Sequence, residues 1–256
     1  GWSIKGDFSA FNKREYAGVD KDKLSAKREF LQALIMIALK SVPISFDKAH
    51  IKHTSPWDKG KKIFLDPSNY ILCRDVDLQN NTLTFEVCRN GKNLTGTVKA
   101  KPEGGFWIEE AVAGAFLMAG GKKIKDIRVG VKWPWLGQSQ KKSDIHRTEI
   151  DIVMIWKDHY ICISCKTGIK KDNGEQILFE TTNEIMAEAR AGFGRFAVPV
   201  IVRGGIMTGQ EKKVADDSLK QDGILQIGLG LLNQSNTLNS LIEEAIQTYQ
   251  TTADEQ

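Results

Sequence analysis

The sequence predicts an α/β fold: a mixed β-sheet flanked by helices, with an N-terminal helical and β-meander extension. Three observations lead there. After residue 104, stretches of helical and strand period follow one another as helix, three strands, helix, strand, helix, strand, helix. Before residue 100, a firm helix is followed by three alternating runs separated by turn residues. The 256-residue length, with 41% hydrophobic and 27% charged residues, suits a globular chain with a sizeable core.

Residues 1–23 are polar and aromatic-spotted and read as an arm or linker. "LSAKREFLQALIMIAL" (24–39) has the period of an amphipathic-to-buried helix and is stopped by Pro43. The stretch 41–69, with Pro43, Pro56, Gly60 and Pro67, reads as loop. "YILCRDVDL", "TLTFEVCRN" and "LTGTVKA", divided by "QNN" and "NGKN", predict a small antiparallel meander. Together these make an accessory part, residues 1–100, and the remainder, 101–256, forms the main domain.

In that main part paired glycines bracket a helix over 106–118. Strands are expected at "IKDIRVGVKW", "TEIDIVMIW" and "YICISCK", then a helix over 175–190 and the strand "FAVPVIV". A helix near 211–220, the strand "ILQIG" and a helix over 238–249 complete the order, and the tail "TTADEQ" is expected to fray.

No apolar run approaches the roughly 20 residues that span a bilayer, and residues 1–19 are polar and mixed. The expected location is cytoplasmic, with no membrane partner. Cys162 and Cys165 form a C-x-x-C, but no second pair completes a zinc set, so they read as structural cysteines. "GLGLLNQS" lacks the lysine of a nucleotide-binding loop. Net charge is only +4, yet Gly121 to Arg147 carries eight Lys/Arg against two Asp, a local +6. That run leads straight into an acidic strand. Lysines that hold phosphates beside carboxylates that hold a divalent metal suit a polyanionic substrate, with Lys132, Lys141, Lys142, Arg147 and Lys170 as candidate nucleic-acid contacts. The plainer reading is a solvated basic loop.

The stretch "TEIDIVMIWKDHYICISCKTG" (148–168) focuses the chemistry. Strand alternation puts Glu149, Asp151 and Val153 on one face, and Ser164 with Lys166 on one face of the next strand. Helix 106–118 adds Glu109 and Glu110 near its start. Mg²⁺ or Mn²⁺ takes oxygen ligands and keeps waters, so Glu109, Asp151 and Glu149 are the candidate metal ligands. Lys166 is the group to orient a water or to stabilise extra negative charge. His146 and His159 flank the region and read first as turn or surface histidines. Trp133 and Trp135 read as packing residues or as stacking surfaces for bases.

"GFWIE" (105–109), "TEIDI" (148–152) and "SCKT" (164–167), in that order, resemble the PD-(D/E)xK nuclease superfamily. They are most similar there to the nuclease domain of the cyclic-oligoadenylate-activated CRISPR ancillary nucleases, the Can/Card type. "GFGRFAVPVIV" (192–202) is similar to a glycine-bearing segment that follows in that family. The resemblance covers roughly residues 104 to 230. It implies a restriction-endonuclease-like fold over 101–256 and a metal-dependent endonuclease that hydrolyses DNA or RNA in antiviral defence. Catalytic roles fall on Glu109, Asp151 and Lys166, with Glu149 as a nearby acid. The family's sensor domain is not recognisable in residues 1–100. The chain therefore reads as an effector part, or as a relative signalled by a cyclic-oligoadenylate sensor on another domain or subunit, in a homo-oligomer or larger complex.

Ser164 departs from the pattern, because the family carries an acid there. Three alternatives stand: Ser164 acts through water in a weakened site, Glu180 or Glu184 from helix 175–190 takes the acid's place, or the domain is silent and serves as a nucleic-acid-binding or assembly module.

Overall fold

The computed structural model describes residues 20–40, 62–77, 79–80, 82–99, 106–134, 147–166, 184–190, 192–194, 197–203, 217, 221, 223–228, 231–232 and 234–254. Two helices, α1 (Lys21–Ala26) and α2 (Arg28–Lys40), precede strands β1 (Lys62–Asp66), β2 (Asn69–Asp77), β3 (Thr82–Arg89) and β4 (Lys92–Lys99). Helix α3 (Phe106–Gly120) leads into β5 (Ile124–Pro134), β6 (Arg147–Trp156) and β7 (His159–Lys166). Residues 184–190 form helix α4. Strands β8 (Val198–Arg203) and β9 (Leu225–Gly228) and helix α5 (Ser235–Asp254) follow.

The first four strands form an antiparallel sheet in sequential order. Its β3–β4 turn is the "NG" the sequence marks, with Asn90 at φ 51° and Gly91 at φ 75°, both in the left-handed region a two-residue hairpin turn demands. The second sheet runs β5-β6-β7-β8-β9 and is mixed: β5–β6 and β6–β7 are antiparallel, β7–β8 and β8–β9 parallel. This is the mixed α/β architecture the sequence predicts.

Helix α3 explains how the pieces join. Its sequence is apolar nearly all round, and residues 111 to 117 are all buried. A helix of that kind is wrapped by other elements rather than lying on a surface. One continuous hydrophobic cluster runs through Leu24, Leu31, Phe85, Val112, Phe116, Ile152, Ile163, Val200, Ile227 and Ile242. The opposite side of the second sheet holds a smaller cluster, in which Ile185 and Ala189 of α4 pack with Cys162 and Ile201. Helices therefore cover both faces of that sheet.

The structure corrects three expectations. "KIFLD" (62–66), inside the stretch read as loop, is strand β1, paired with β2. The helix expected over 24–39 is two helices that meet at Lys27, which has a non-helical conformation (φ −112°, ψ 19°). The final helix begins at Ser235 and runs through Asp254, so 251–254 are helical where fraying was expected. Residues 100–105, 175–183 and most of 211–220 lie outside the described residues.

Candidate metal and phosphodiester site

Asp151 is the centre of the site. The β6–β7 register pairs run from Trp156↔His159 to Ile152↔Ile163. Just past the last pair, Asp151 Oδ2 accepts the Cys165 backbone N–H at 2.6 Å and the Ser164 hydroxyl at 3.3 Å. A side-chain carboxylate thus binds across the two strands at the end of the ladder. Burial pushes the Asp151 carboxyl above its usual range, and the Glu149 charge adds to this. The Cys165 amide, Lys166 and the Ser164 hydroxyl pull the other way without cancelling it.

Lys166 closes β7 on the Ser164 side, and its register partner on β8 is Arg203. Arg203 is buried, as is Gln226 on β9, which is paired with Ile201 one row further in. Sequence reading missed both; each sits inside an apolar run that looked like plain core.

The more consequential omission is Glu188. Ile185 and Ala189 fix α4 against the sheet, and Glu188, on the same helical face, is half-buried. Its carboxyl is pushed up to about 7, first by burial, then by the charges of Glu184, Asp151 and Glu149, with Lys166 opposing. Glu188 also adds its charge to the burial that raises the Cys162 thiol. Among the described residues of this helix, Glu188 lies one turn beyond the exposed Glu184 and feels the Asp151 and Lys166 charges; Glu180 lies outside the described residues. In sequence, "MAEAR" looks like any solvated helical stretch; its one signal is the spacing of Glu184 and Glu188 on one face.

Glu109 is buried at the start of α3. It reaches the site through Cys165, whose thiol is raised by burial and further by the Asp151 and Glu109 charges. Hydrogen bonds thus join Asp151 to Ser164 and Cys165, and the charges of Lys166, Glu149 and Glu188 act on this group, with Glu109 acting on Cys165.

Among the candidate nucleic-acid contacts, Lys132 stands opposite Glu149 in the β5–β6 ladder and Arg147 opposite Pro134. Lys141, Lys142, Lys170, His146 and Trp135 lie outside the described residues. The +6 segment is not one strip. Strand β5 carries Lys125 away from Lys132 by about 23 Å at roughly 3.3 Å per residue. At the far end Lys123 binds Glu243 and Lys125 binds Asp158, while Arg128 binds Asp126. His159 belongs to that far end too, seven residues along β7 from Lys166, and burial lowers its pKa. Cys162 is buried and Cys165 half-buried, and both are free thiols.

Among the described residues no group of three His, Cys, Asp or Glu side chains is gathered to hold a metal by protein ligands alone. What the site does have is two carboxyls, Asp151 and Glu188, that burial raises first and the neighbouring carboxylate charges raise further. That pattern suits a hydrated Mg²⁺ or Mn²⁺, which needs one or two carboxylates and keeps several waters.

No family model matches the chain, and no curated protein matches it. Among solved structures it is similar to protein VC1899 from Vibrio cholerae, at 19% identity and a TM-score of 0.40, over 54% of this chain and 34% of that one. It is also similar to Can2 from Sulfobacillus thermosulfidooxidans, solved in complex with cyclic tetra-adenylate, at 17% identity and a TM-score of 0.38, over 54% of this chain and 36% of that one. The chain spans about a third of the length of these two structures.

Proposed function

We propose that this chain is a metal-dependent endonuclease of restriction-endonuclease-like type, acting on phosphodiester bonds in DNA or RNA. The observation that supports it best is the hydrogen bonding of Asp151 to the Ser164-x-Lys166 strand end at one end of the central strands, with the Glu188 carboxyl raised by the Asp151 charge. Asp151 and Glu188 are the residues to hold Mg²⁺ or Mn²⁺, with Glu149 adjacent and Glu109 approaching past Cys165. Glu188 takes the part of the acid that Ser164 does not supply. A bound divalent ion contributes a more acidic water and neutralises charge on the phosphate. The Ser164 hydroxyl and the Cys165 amide orient Asp151 Oδ2. The Lys166 ammonium stabilises the extra negative charge that forms at the phosphorus oxygens during attack. Lys132, Lys141, Lys142, Arg147 and Lys170 contribute backbone phosphate contacts. The motif resemblance supports a role in CRISPR-linked antiviral defence under a cyclic-oligoadenylate signal received on another domain or subunit.

One observation favours a second reading, a silent nuclease-like module that binds nucleic acid or partners. Asp151 Oδ2 is already engaged by two donors, and position 164 carries no charge. The readings separate in one experiment: single- and double-stranded DNA and RNA incubated with Mg²⁺, Mn²⁺ or EDTA, for the parent and Glu188→Gln. The endonuclease reading expects manganese-dependent cleavage that EDTA and Glu188→Gln each remove. Binding without cleavage under every metal condition favours the silent module, and cleavage that persists in EDTA overturns the metal site.

A further inference from the structure

Glu110, the neighbour of Glu109 on α3, is fully buried. Its partner comes from 83 residues earlier in the chain: the Lys27 ammonium donates to Glu110 Oε2 and, at 2.9 Å, to the Thr97 carbonyl of β4. Lys27 stands at the break between α1 and α2, where its own N–H turns back to the Leu24 and Ser25 carbonyls. The break is what aims this lysine inward. A second lysine of the same helix pair, Lys21, donates to the Ile124 carbonyl at 2.6 Å, where β5 begins just after α3. Between these anchors α2 lies so close to α3 that a Cβ on Gly114 would come within 2.8 Å of Leu31. The helix pair therefore grips α3 near its first turn, along its length and just beyond its end.

Consecutive residues on an α-helix project about 100° apart, so fixing the direction of Glu110 fixes that of Glu109. A rotation of α3 that carried Glu109 away from Cys165 would also draw Glu110 off Lys27 and break this buried ion pair. Buried ion pairs add little to stability over an apolar pair, and their best-attested use is to specify register.

We propose that Lys27 is a positioning residue: by capturing Glu110, the N-terminal helix pair sets the rotation of α3 and presents Glu109 to the metal site. This rests on the endonuclease reading above, in which Glu109 belongs to that site. The N-terminal helices then act as part of the catalytic scaffold as well as part of an accessory extension.

Calorimetric titration of the full chain with Mn²⁺ tests the idea, with circular dichroism reporting the fold of each variant. Lys27→Met/Glu110→Leu removes both charges together, which avoids the stranded carboxylate that Lys27→Met alone would leave. It is expected to fold and to bind Mn²⁺ about tenfold more weakly, the scale of lost support for a metal ligand. The same pair of changes added to Glu109→Gln is expected to cause no further loss, because the effect passes through Glu109. Lys27→Arg, which keeps the charge and the donors, should bind as the parent does. Parent-like affinity in the folded Lys27→Met/Glu110→Leu variant overturns the proposal, as does an equal loss in the Glu109→Gln background. If the parent binds no Mn²⁺, or Glu109→Gln binds as tightly as the parent, the metal site itself falls and takes this role with it.

Discussion

Two carboxylate clusters sit on the second sheet, and they are tuned in opposite directions. At one end, Glu243 of α5 accepts from Lys157 Nζ at 2.7 Å, Trp156 Nε1 at 3.1 Å and Lys123 Nζ at 3.2 Å. Burial alone would raise its carboxyl, but these donors outweigh it and hold it at about 2. At the other end, Asp151 and Glu188 share Lys166 between them with Glu149 close by, and both carboxyls are raised, Glu188 to about 7. The composition is similar; the ratio of donors to carboxylates is not. A cluster with three donors for one acid is complete and holds α5 to the sheet. Among the described residues Lys166 is the cation whose charge acts on both Asp151 and Glu188, and it does not offset their burial; a divalent cation would favour the charged form of both.

The largest expected effect is on that second cluster. Asp151→Asn should lower manganese-dependent cleavage at least about a hundredfold, the upper range for disturbing a metal's surroundings. It should not lower the melting temperature, because an amide still accepts the Cys165 N–H and no buried charge remains to desolvate. Rates measured beside thermal melts check both halves, and a variant that melts well below the parent would make Asp151 a structural residue like Glu243.

Next in size is a packing change at the complete cluster. A Cβ on Gly120 would come within 2.6 Å of Ile124 and Trp156. Gly120→Ala should therefore cost about 1–3 kcal/mol, as overpacking does. Chemical denaturation is the measurement, with metal binding expected to stay near the parental value.

Glu243→Gln should cost about 1 kcal/mol at neutral pH, since its lysines are largely exposed and screened. Its signature is the acid limb. A carboxyl held below its unfolded value of about 4.3 stabilises the fold above that pH, and the contribution is lost as pH falls from there toward 2. The variant should show a shallower loss of stability over that window, and a slope equal to the parent's would mean that the three donors do not act together.

The smallest effect is at Lys157, a non-glycine residue in the left-handed region at φ 55°. Lys157→Gly relieves backbone strain of about 1 kcal/mol but removes one exposed partner of Glu243. The two should nearly cancel, leaving equilibrium denaturation within about 0.5 kcal/mol of the parent.

The contrast also explains what the sequence could and could not disclose. Strand period made β5, β6 and β7 legible, and with them Asp151, Ser164 and Lys166, because these residues lie close together along the chain. Glu188 could not be found that way. It reaches the site through the packing of Ile185 and Ala189 on β7 and β8, which is a tertiary fact. The break at Lys27 was hidden for a similar reason: nothing local in "LSAKREF" opposes a continuous helix, and the partner of Lys27 lies on α3. Strand β1 was obscured by the flanking Pro67 and the lysines of "KGKK", and its three-residue apolar run "IFL" is too short to show a strand period. Within the basic segment, Lys123 and Lys125 lie at the far end of the sheet in ion pairs with Glu243 and Asp158, a separation that a charge summed along the sequence does not show.

The turn between β6 and β7 has only two residues, Lys157 and Asp158, and it sets which backbone positions meet all the way to Ile152 and Ile163. Its evolutionary tolerance follows. Substitutions there touch solvent and two screened ion pairs, so lineages can drift at both positions. A one-residue insertion or deletion would slip the register and exchange the inward and outward faces of a strand. Asp151 would then lose the Ser164 hydroxyl and the Cys165 amide without being mutated. Among descendants of this sequence the length of that turn should be kept more strictly than its letters, and a length change there should accompany loss of the acids at the strand's other end.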